Sequence, residues 1–239
     1  MKTLGVIGGV GPLSTAYFME VIINKTDAKT DQDHINMIVL NHTQIPDRTQ
    51  YILDNTKPNP VNMMKEDAQK LQAMGADIVV TPCNTAHFFF SELSNSIQIP
   101  FINMIEETAN LLSKQKVKKV GILATNGTIK TELFQNVLIK KGIIPICPSA
   151  ENQQFVMDII YDNVKANKPI DLEKFKTIVG EMRLNECEKI ILGCTELSVI
   201  KREYSLNDYY VDSLEVLAEC AIIACGKAIK KEPSNNLNI

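Results

Sequence analysis

The chain has 239 residues, 45% of them hydrophobic and 22% charged, which is enough apolar material for one large core or two modest ones. A formal charge of -3, with no local Lys/Arg cluster to reverse it, gives no long-range pull toward nucleic acid or an anionic membrane and leaves a small molecule or a protein as the better partner. The opening "MKTLGVIGGVG" has no signal-peptide pattern and no apolar run is as long as a membrane span, so a cytoplasmic location is expected.

Short β-branched runs alternate with amphipathic stretches from the start of the chain. The predicted strands are "TLGVIGG" (3–9), "INMIVLN" (35–41), "DIVVTP" (77–82), "IPFIN" (99–103), "KVGILAT" (119–125), "IIPICP" (143–148) and "EKIILG" (188–193). Helical segments lie between them. "VNMMKEDAQKLQAMG" puts Met64, Ala68 and Leu71 on one face, and "DLEKFKTIVGEMRLN" does the same with Phe175, Ile178, Val179 and Met182. Strands joined by helical crossovers predict an α/β fold with parallel sheets. The last ten residues, "KKEPSNNLNI", are polar and expected to fray.

The chain also repeats itself. "KTLGVIGGVG" aligns with "KKVGILATNG", pairing Gly5 with Gly121 and Gly11 with Gly127. At nearly the same spacing "GADIVVTPCNT" aligns with "NECEKIILGCT", pairing Cys83 with Cys194. Two similar lobes are therefore expected, one formed by residues 1–98 plus 208–239 and the other by residues 99–207. Ligands of open α/β sheets bind beyond the carboxyl ends of the strands, which puts both cysteines at a site between the lobes. The stretch "GVGPLS" lacks the third glycine of a dinucleotide-binding fingerprint, so its glycines read as places where backbone approaches a substrate.

Six cysteines in a cytoplasmic chain are expected to be reduced thiols, and their spacing offers no zinc site. Cys147, Cys187, Cys220 and Cys225 read as small buried hydrophobes. Cys83 and Cys194 read differently, because each follows a strand and stands where a helix begins, a position that favours a thiolate. Two facing thiolates would repel, so the resting pair is one thiolate and one thiol. Such a pair suits removal of a proton from one face of a carbon and delivery of another to the opposite face. A positioned base supplies about 10² to 10⁴ in rate, so donors to the developing oxyanion are also required. Asn84, Thr85, Thr125, Thr128 and Thr195 are candidates, and Thr85, Thr128 and Thr195 are also candidate helix N-caps.

The segments "IGGVGP", "NHTQIPDRTQYIL", "PCNTAH", "INMIEET", "LATNGTIKT" and "ILGCTEL" resemble the signature segments of the aspartate/glutamate racemase family, and within it the aspartate racemases. The resemblance implies two α/β lobes related by a pseudo-twofold axis, each a parallel sheet flanked by helices, with the active site between them. It implies a homodimer that racemises aspartate, or the longer glutamate, with no cofactor and no metal. Cys83 and Cys194 become the acid/base pair, and Asn84, Thr85, Thr125 and Thr195 fall near the amino-acid carboxylate or amine. Val10 and Thr128 are placed in the same substrate-binding set. The distal carboxylate is assigned to Arg48 and Lys165, a choice that suits the forked geometry of a guanidinium and the point charge of an ammonium. Glu196 stands where glutamate racemases often carry a histidine and is a candidate partner for a substrate ammonium. His87 is expected to cap or pack.

Three other readings share these residues, one of them a redox switch in which Cys83 and Cys194 form a disulfide, which reads as a liability of the site. Related isomerases and decarboxylases use one cysteine on an unsaturated or malonate-like acid. A non-catalytic binding module for a dicarboxylic amino acid would use Arg48 and Lys165 equally well, yet has no need for paired thiols.

Overall fold

The protein is described by a computed structural model covering residues 2–230, so the polar tail from residue 231 onward, with the fraying expected of it, lies outside the described residues. The first part of the chain runs β1 (Thr3–Gly8), α1 (Pro12–Lys25), β2 (Asn36–Asn41), α2 (Arg48–Leu53), α3 (Val61–Ala73), β3 (Ile78–Val80) and α4 (Phe90–Ser94). The second runs α5 (Met104–Lys114), β4 (Lys119–Leu123), α6 (Asn126–Lys130), α7 (Leu133–Lys140), β5 (Ile144–Ile146), α8 (Ala150–Asp158), α9 (Leu172–Leu184), β6 (Lys189–Leu192), α10 (Thr195–Tyr204), β7 (Tyr210–Asp212) and α11 (Ser213–Ala224). All strand pairings within the two sheets are parallel, in the orders β2-β1-β3 and β5-β4-β6-β7. The α/β fold of two lobes, each a parallel sheet flanked by helices, is the one the sequence pattern predicts.

The internal repeat has a direct structural counterpart. β1 and β4 are the central strands, β2 and β5 lie on one side, and β3 and β6 on the other. Both sheets are covered on both faces, as their near-continuous apolar strands require. In the first sheet Leu4 and Val6 pack toward α1 and α11, while Ile7 and Val79 pack with Met64 and Leu71 of α3. In the second, Val120 and Ile122 pack toward α5 and α7, while Leu123 and Ile190 pack with Ile178 and Met182 of α9. The paired glycines explain how close those helices come. A Cβ on Gly5 would sit 2.9 Å from the Ala76 Cβ and 3.2 Å from the Leu71 Cβ, and one on Gly121 would sit 2.7 Å from the Met182 Sδ.

Two elements differ from the sequence-based expectation, and they are each other's counterparts. Segment 99–103 does not form a full strand; it meets the first sheet through a single parallel bridge from Phe101 to Val79. β7 was not expected as a strand at all, and it completes the second sheet alongside β6 although it lies beyond the expected boundary at 207. Each is followed by a capped helix, with the Asn103 side chain accepting the Ile105 and Glu106 N–H groups and that of Asp212 accepting the Leu214 N–H. The helices then cross over. Ile105, Ala109 and Leu112 of α5 pack against the second sheet, and Leu214, Leu217 and Ile222 of α11 against the first.

Candidate active site

Cys83 follows β3 and Pro82, with its backbone N–H donating to the Thr81 carbonyl at 2.9 Å. Thr81 in turn donates through Oγ1 to the Ile7 carbonyl of β1 at 3.0 Å, so the loop is tied to the central strand. Past Asn84 the chain enters a five-residue 3-10 turn, Thr85–Phe89, and not the α-helix expected there. His87 in that turn is buried, its Nε2 accepting the Met104 N–H at 3.0 Å. The proton therefore sits on Nδ1, which donates to the Cys83 carbonyl at 2.9 Å. Burial brings the His87 pKa down to about 4, so the ring is neutral and holds the Cys83 loop against the start of α5.

Cys194 follows β6 and is the N-cap residue of the ten-residue α10. Its thiol donates to the Glu196 Oε2 at 2.9 Å. Burial raises its pKa well above the ordinary thiol value; the Glu196 charge adds to the rise and Lys165 opposes it. The two cysteines are thus in unlike surroundings. Cys83 has the Arg48 guanidinium beside it, close enough for sulfur to favour the cation.

Both thiols line one cavity between the lobes, together with Val10, Arg48, Asn84, Thr85, Thr125, Lys165, Thr195 and Glu196. Every sequence-predicted site residue except Thr128 is in that wall. Thr128 lies behind it, fully buried, its hydroxyl 3.0 Å from that of Thr85 and 3.2 Å from that of Thr125. Thr85 and Thr125 are themselves 3.0 Å apart, so the three hydroxyls form a triangle across the lobes. Of the three threonines expected as caps, none serves; Thr125 does, accepting the Thr128 N–H at the start of α6.

Arg48 is held by backbone carbonyls, with one terminal nitrogen donating to Val10 at 2.9 Å and the other to Pro46 at 3.1 Å and Ile45 at 3.4 Å. Val10 therefore both lines the cavity and anchors the cation. The Arg48 Nε and both polar atoms of the Asn84 side chain are buried with no hydrogen-bond partner among the described residues. Unpaired buried polar atoms are costly, and these mark groups built to meet something the protein itself does not supply. Lys165 lies 3.6 Å from the Asp47 Oδ2 and 3.9 Å from the Glu196 Oε1, over the Tyr161 ring at 4.3 Å. Burial lowers its pKa, but Glu196, Tyr161, Cys194 and Asp47 outweigh that and the net shift is upward.

Sequence reasoning missed three lining residues, Asp47, Thr49 and Tyr161. Asp47 was within reach, because an aspartate three residues before Gln50 at the start of a helix is an N-cap pattern, and its side chain does accept the Gln50 N–H. Tyr161 lies in a π-helical stretch, Ile159–Val164, whose wide turn has no periodic signature. The inner cavity is narrow, with about 10 Å³ open to the centre of a water-sized sphere, room for about one water. Outside it lies a vestibule of about 480 Å³ by the same measure, and Asp47, Arg48, Lys165 and Glu196 line both. Among the described residues no group of three or more His, Cys, Asp or Glu side chains is placed to hold a metal ion. No helix there is long and apolar enough to cross a membrane.

Known proteins with the same architecture fit this arrangement. The Picrophilus torridus aspartate racemase superposes with a TM-score of 0.85 at 34% identity, covering 97% of each chain. An aspartate racemase homologue from Pyrococcus horikoshii shares the fold with a TM-score of 0.76 at 23% identity, covering 94% of this chain and 99% of its own. By sequence, the broad specificity amino-acid racemase RacX of Bacillus subtilis is 26% identical over 227 residues, 92% of this chain and 96% of its own. Residues 7–221 match the Asp/Glu/Hydantoin racemase family. With that match spanning both cysteine loops and both lobes, the chain belongs to the Asp/Glu/hydantoin racemase family and is a racemase.

Proposed function

We propose that the protein interconverts L- and D-aspartate, with Cys83 and Cys194 working on opposite faces of Cα. The observation that carries this reading is that two thiols from equivalent strand ends of the two lobes line one cavity with Arg48 and Lys165. In one direction the Cys83 thiolate takes the Cα proton, and the electron pair of the broken bond spreads into the α-carboxylate. Cys194 then gives its thiol proton to the other face and becomes the thiolate. The reverse direction exchanges the roles.

The free polar atoms of Asn84, with the hydroxyls of Thr85, Thr125 and Thr195, supply donors for the carboxylate as charge builds on it. Arg48 and Lys165 take the distal carboxylate. Substrate entry then displaces Asp47 and Glu196 from part of their hold on Lys165, and the narrow inner cavity requires the wall between it and the vestibule to move. A tight cavity favours aspartate over glutamate, although one methylene is worth only about 1 to 3 kcal/mol.

The test is incubation of each aspartate enantiomer in D₂O. Early product carries deuterium while recovered substrate keeps its protium, as two separate bases demand. Equal early labelling of both would reject the two-base scheme. Replacing either Cys83 or Cys194 with serine stops racemisation, and a fully active single variant removes that cysteine from it. The RacX likeness favours one alternative, a broader substrate range. Faster turnover of neutral or basic amino acids than of aspartate would establish that range and displace the Arg48/Lys165 assignment.

A further inference from the structure

The two thiols occupy equivalent places in the repeat, but their neighbours do not repeat. The residue two positions after Cys83 is Thr85, a neutral hydroxyl 3.0 Å from those of Thr125 and Thr128. The residue two positions after Cys194 is Glu196, whose Oε2 accepts the thiol proton at 2.9 Å. Its other oxygen faces Lys165 at 3.9 Å and rests against Gly11, where a Cβ would come within 2.9 Å of it. Gly11 has φ +116, a conformation that favours glycine, so the first lobe leaves room for this carboxylate. With both oxygens engaged by the protein, Glu196 is poorly placed to serve a substrate ammonium as its first duty.

We propose that Glu196 is a positioning residue that decides where the shared proton of the thiol pair rests, keeping it on Cys194 and leaving the charge on Cys83 beside Arg48. This rests on the two-thiol reading of the site. The groups facing the two sulfurs are Glu196 from α10, Lys165 and Tyr161 from the stretch after α8, and Arg48 from α2, with Asp47 paired to Lys165. Lys165 pulls the other way at Cys194, but it stands between two carboxylates, while the Glu196 carboxylate touches the thiol directly. Burial and the Glu196 charge both raise the pKa of Cys194, in agreement with that balance.

The kinetic consequence comes from the equilibrium constant of racemisation, which is one, so kcat/KM must be equal in the two directions. The enantiomer whose Cα proton faces Cys83 meets the enzyme in its favoured form. The other needs the disfavoured form, in which the proton sits on Cys83. If the pocket grips both enantiomers alike, KM and kcat are both larger for that second enantiomer, by one common factor.

The experiment has two readouts. In the first, kcat and KM are measured for both aspartate enantiomers with the wild type and Glu196→Gln, which keeps the shape and removes the charge. The Cys194→Ser variant identifies the enantiomer facing Cys83 as the one that still exchanges Cα hydrogen with solvent. The wild type is expected to show a common factor of about ten or more, and Glu196→Gln to bring it toward one. An unchanged factor, or one that grows, overturns the proposal.

The second readout needs no turnover. Thiolate absorbance of Cys83→Ser is compared with that of Cys83→Ser/Cys194→Ser, and the difference isolates Cys194. Adding Glu196→Gln to both is expected to move that titration to lower pH by about one unit or more. No movement, or movement upward, overturns the proposal even if Glu196→Gln is inactive. Failure of the two-thiol reading itself shows separately, as equal early labelling in D₂O.

Discussion

Arg48 shows how a single side chain is committed before any ligand arrives. Its two terminal nitrogens reach three backbone carbonyls on two segments, a span that requires the planar fork of a guanidinium. Arg48→Lys keeps the charge and loses the fork, leaving buried carbonyls unpaired and the cation free to swing. Steady-state kinetics should show kcat/KM for aspartate lower by about tenfold or more in that variant. The cysteines, Arg48 and the hydroxyl residues were legible in the sequence because strand ends and short motifs carry them. Asp47 was readable as an N-cap but not as a partner of Lys165, and Tyr161 was not singled out, since its bond to Asp47 joins residues 114 apart in sequence and leaves no local trace. The opposite surroundings of the two thiols were equally hidden, because Arg48 approaches Cys83 from a different element.

At the scale of elements, strands buried on both faces announced themselves as apolar runs, and their central glycines mark where helices lie closest. Gly5→Ala would press a methyl onto the Ala76 and Leu71 Cβ atoms, which cannot move without backbone. Gly121→Ala would press onto the Met182 thioether, a chain that can turn aside. Urea denaturation should find Gly5→Ala destabilised by about 1 to 3 kcal/mol and Gly121→Ala by less. The α-helix expected after Cys83 does not form because "NTAHFFF" holds one strong helix former, Ala86, and the His87 bonds to the Cys83 carbonyl and the Met104 N–H tie the chain into a 3-10 turn instead. β7 was missed because three residues are too few to show a period.

For the molecule as a whole, two buried titratable groups respond to mild acid with opposite signs. His87 has its pKa lowered to about 4, so between its unfolded value and that point the unfolded chain binds the proton and stability falls with pH. Burial, assisted by Glu215, raises the pKa of Asp212 to about 6, so in falling pH the folded chain binds its proton first and stability rises. The two nearly cancel in the same window. Asp212→Asn removes the compensating gain, and comparison of urea midpoints at about pH 7 and about pH 4.5 should show that variant losing about 2 kcal/mol more than the wild type. The two-lobed plan was legible from the repeat, whereas the crossing of α5 and α11 was not, because an amphipathic helix shows that it has an apolar face and not which sheet receives it.

That crossing makes the chain equivalent to two half-molecules that have traded arms. A fragment ending near residue 98 would lack α11 over Leu4, Val6 and Phe18, and its complement would carry α11 with no partner to cover. Neither is a self-sufficient building block, yet each holds what the other is missing. The same exchange leaves the halves joined at two points, so any opening that admits a substrate is a pivoting of clasped parts, one that carries both sulfurs with it.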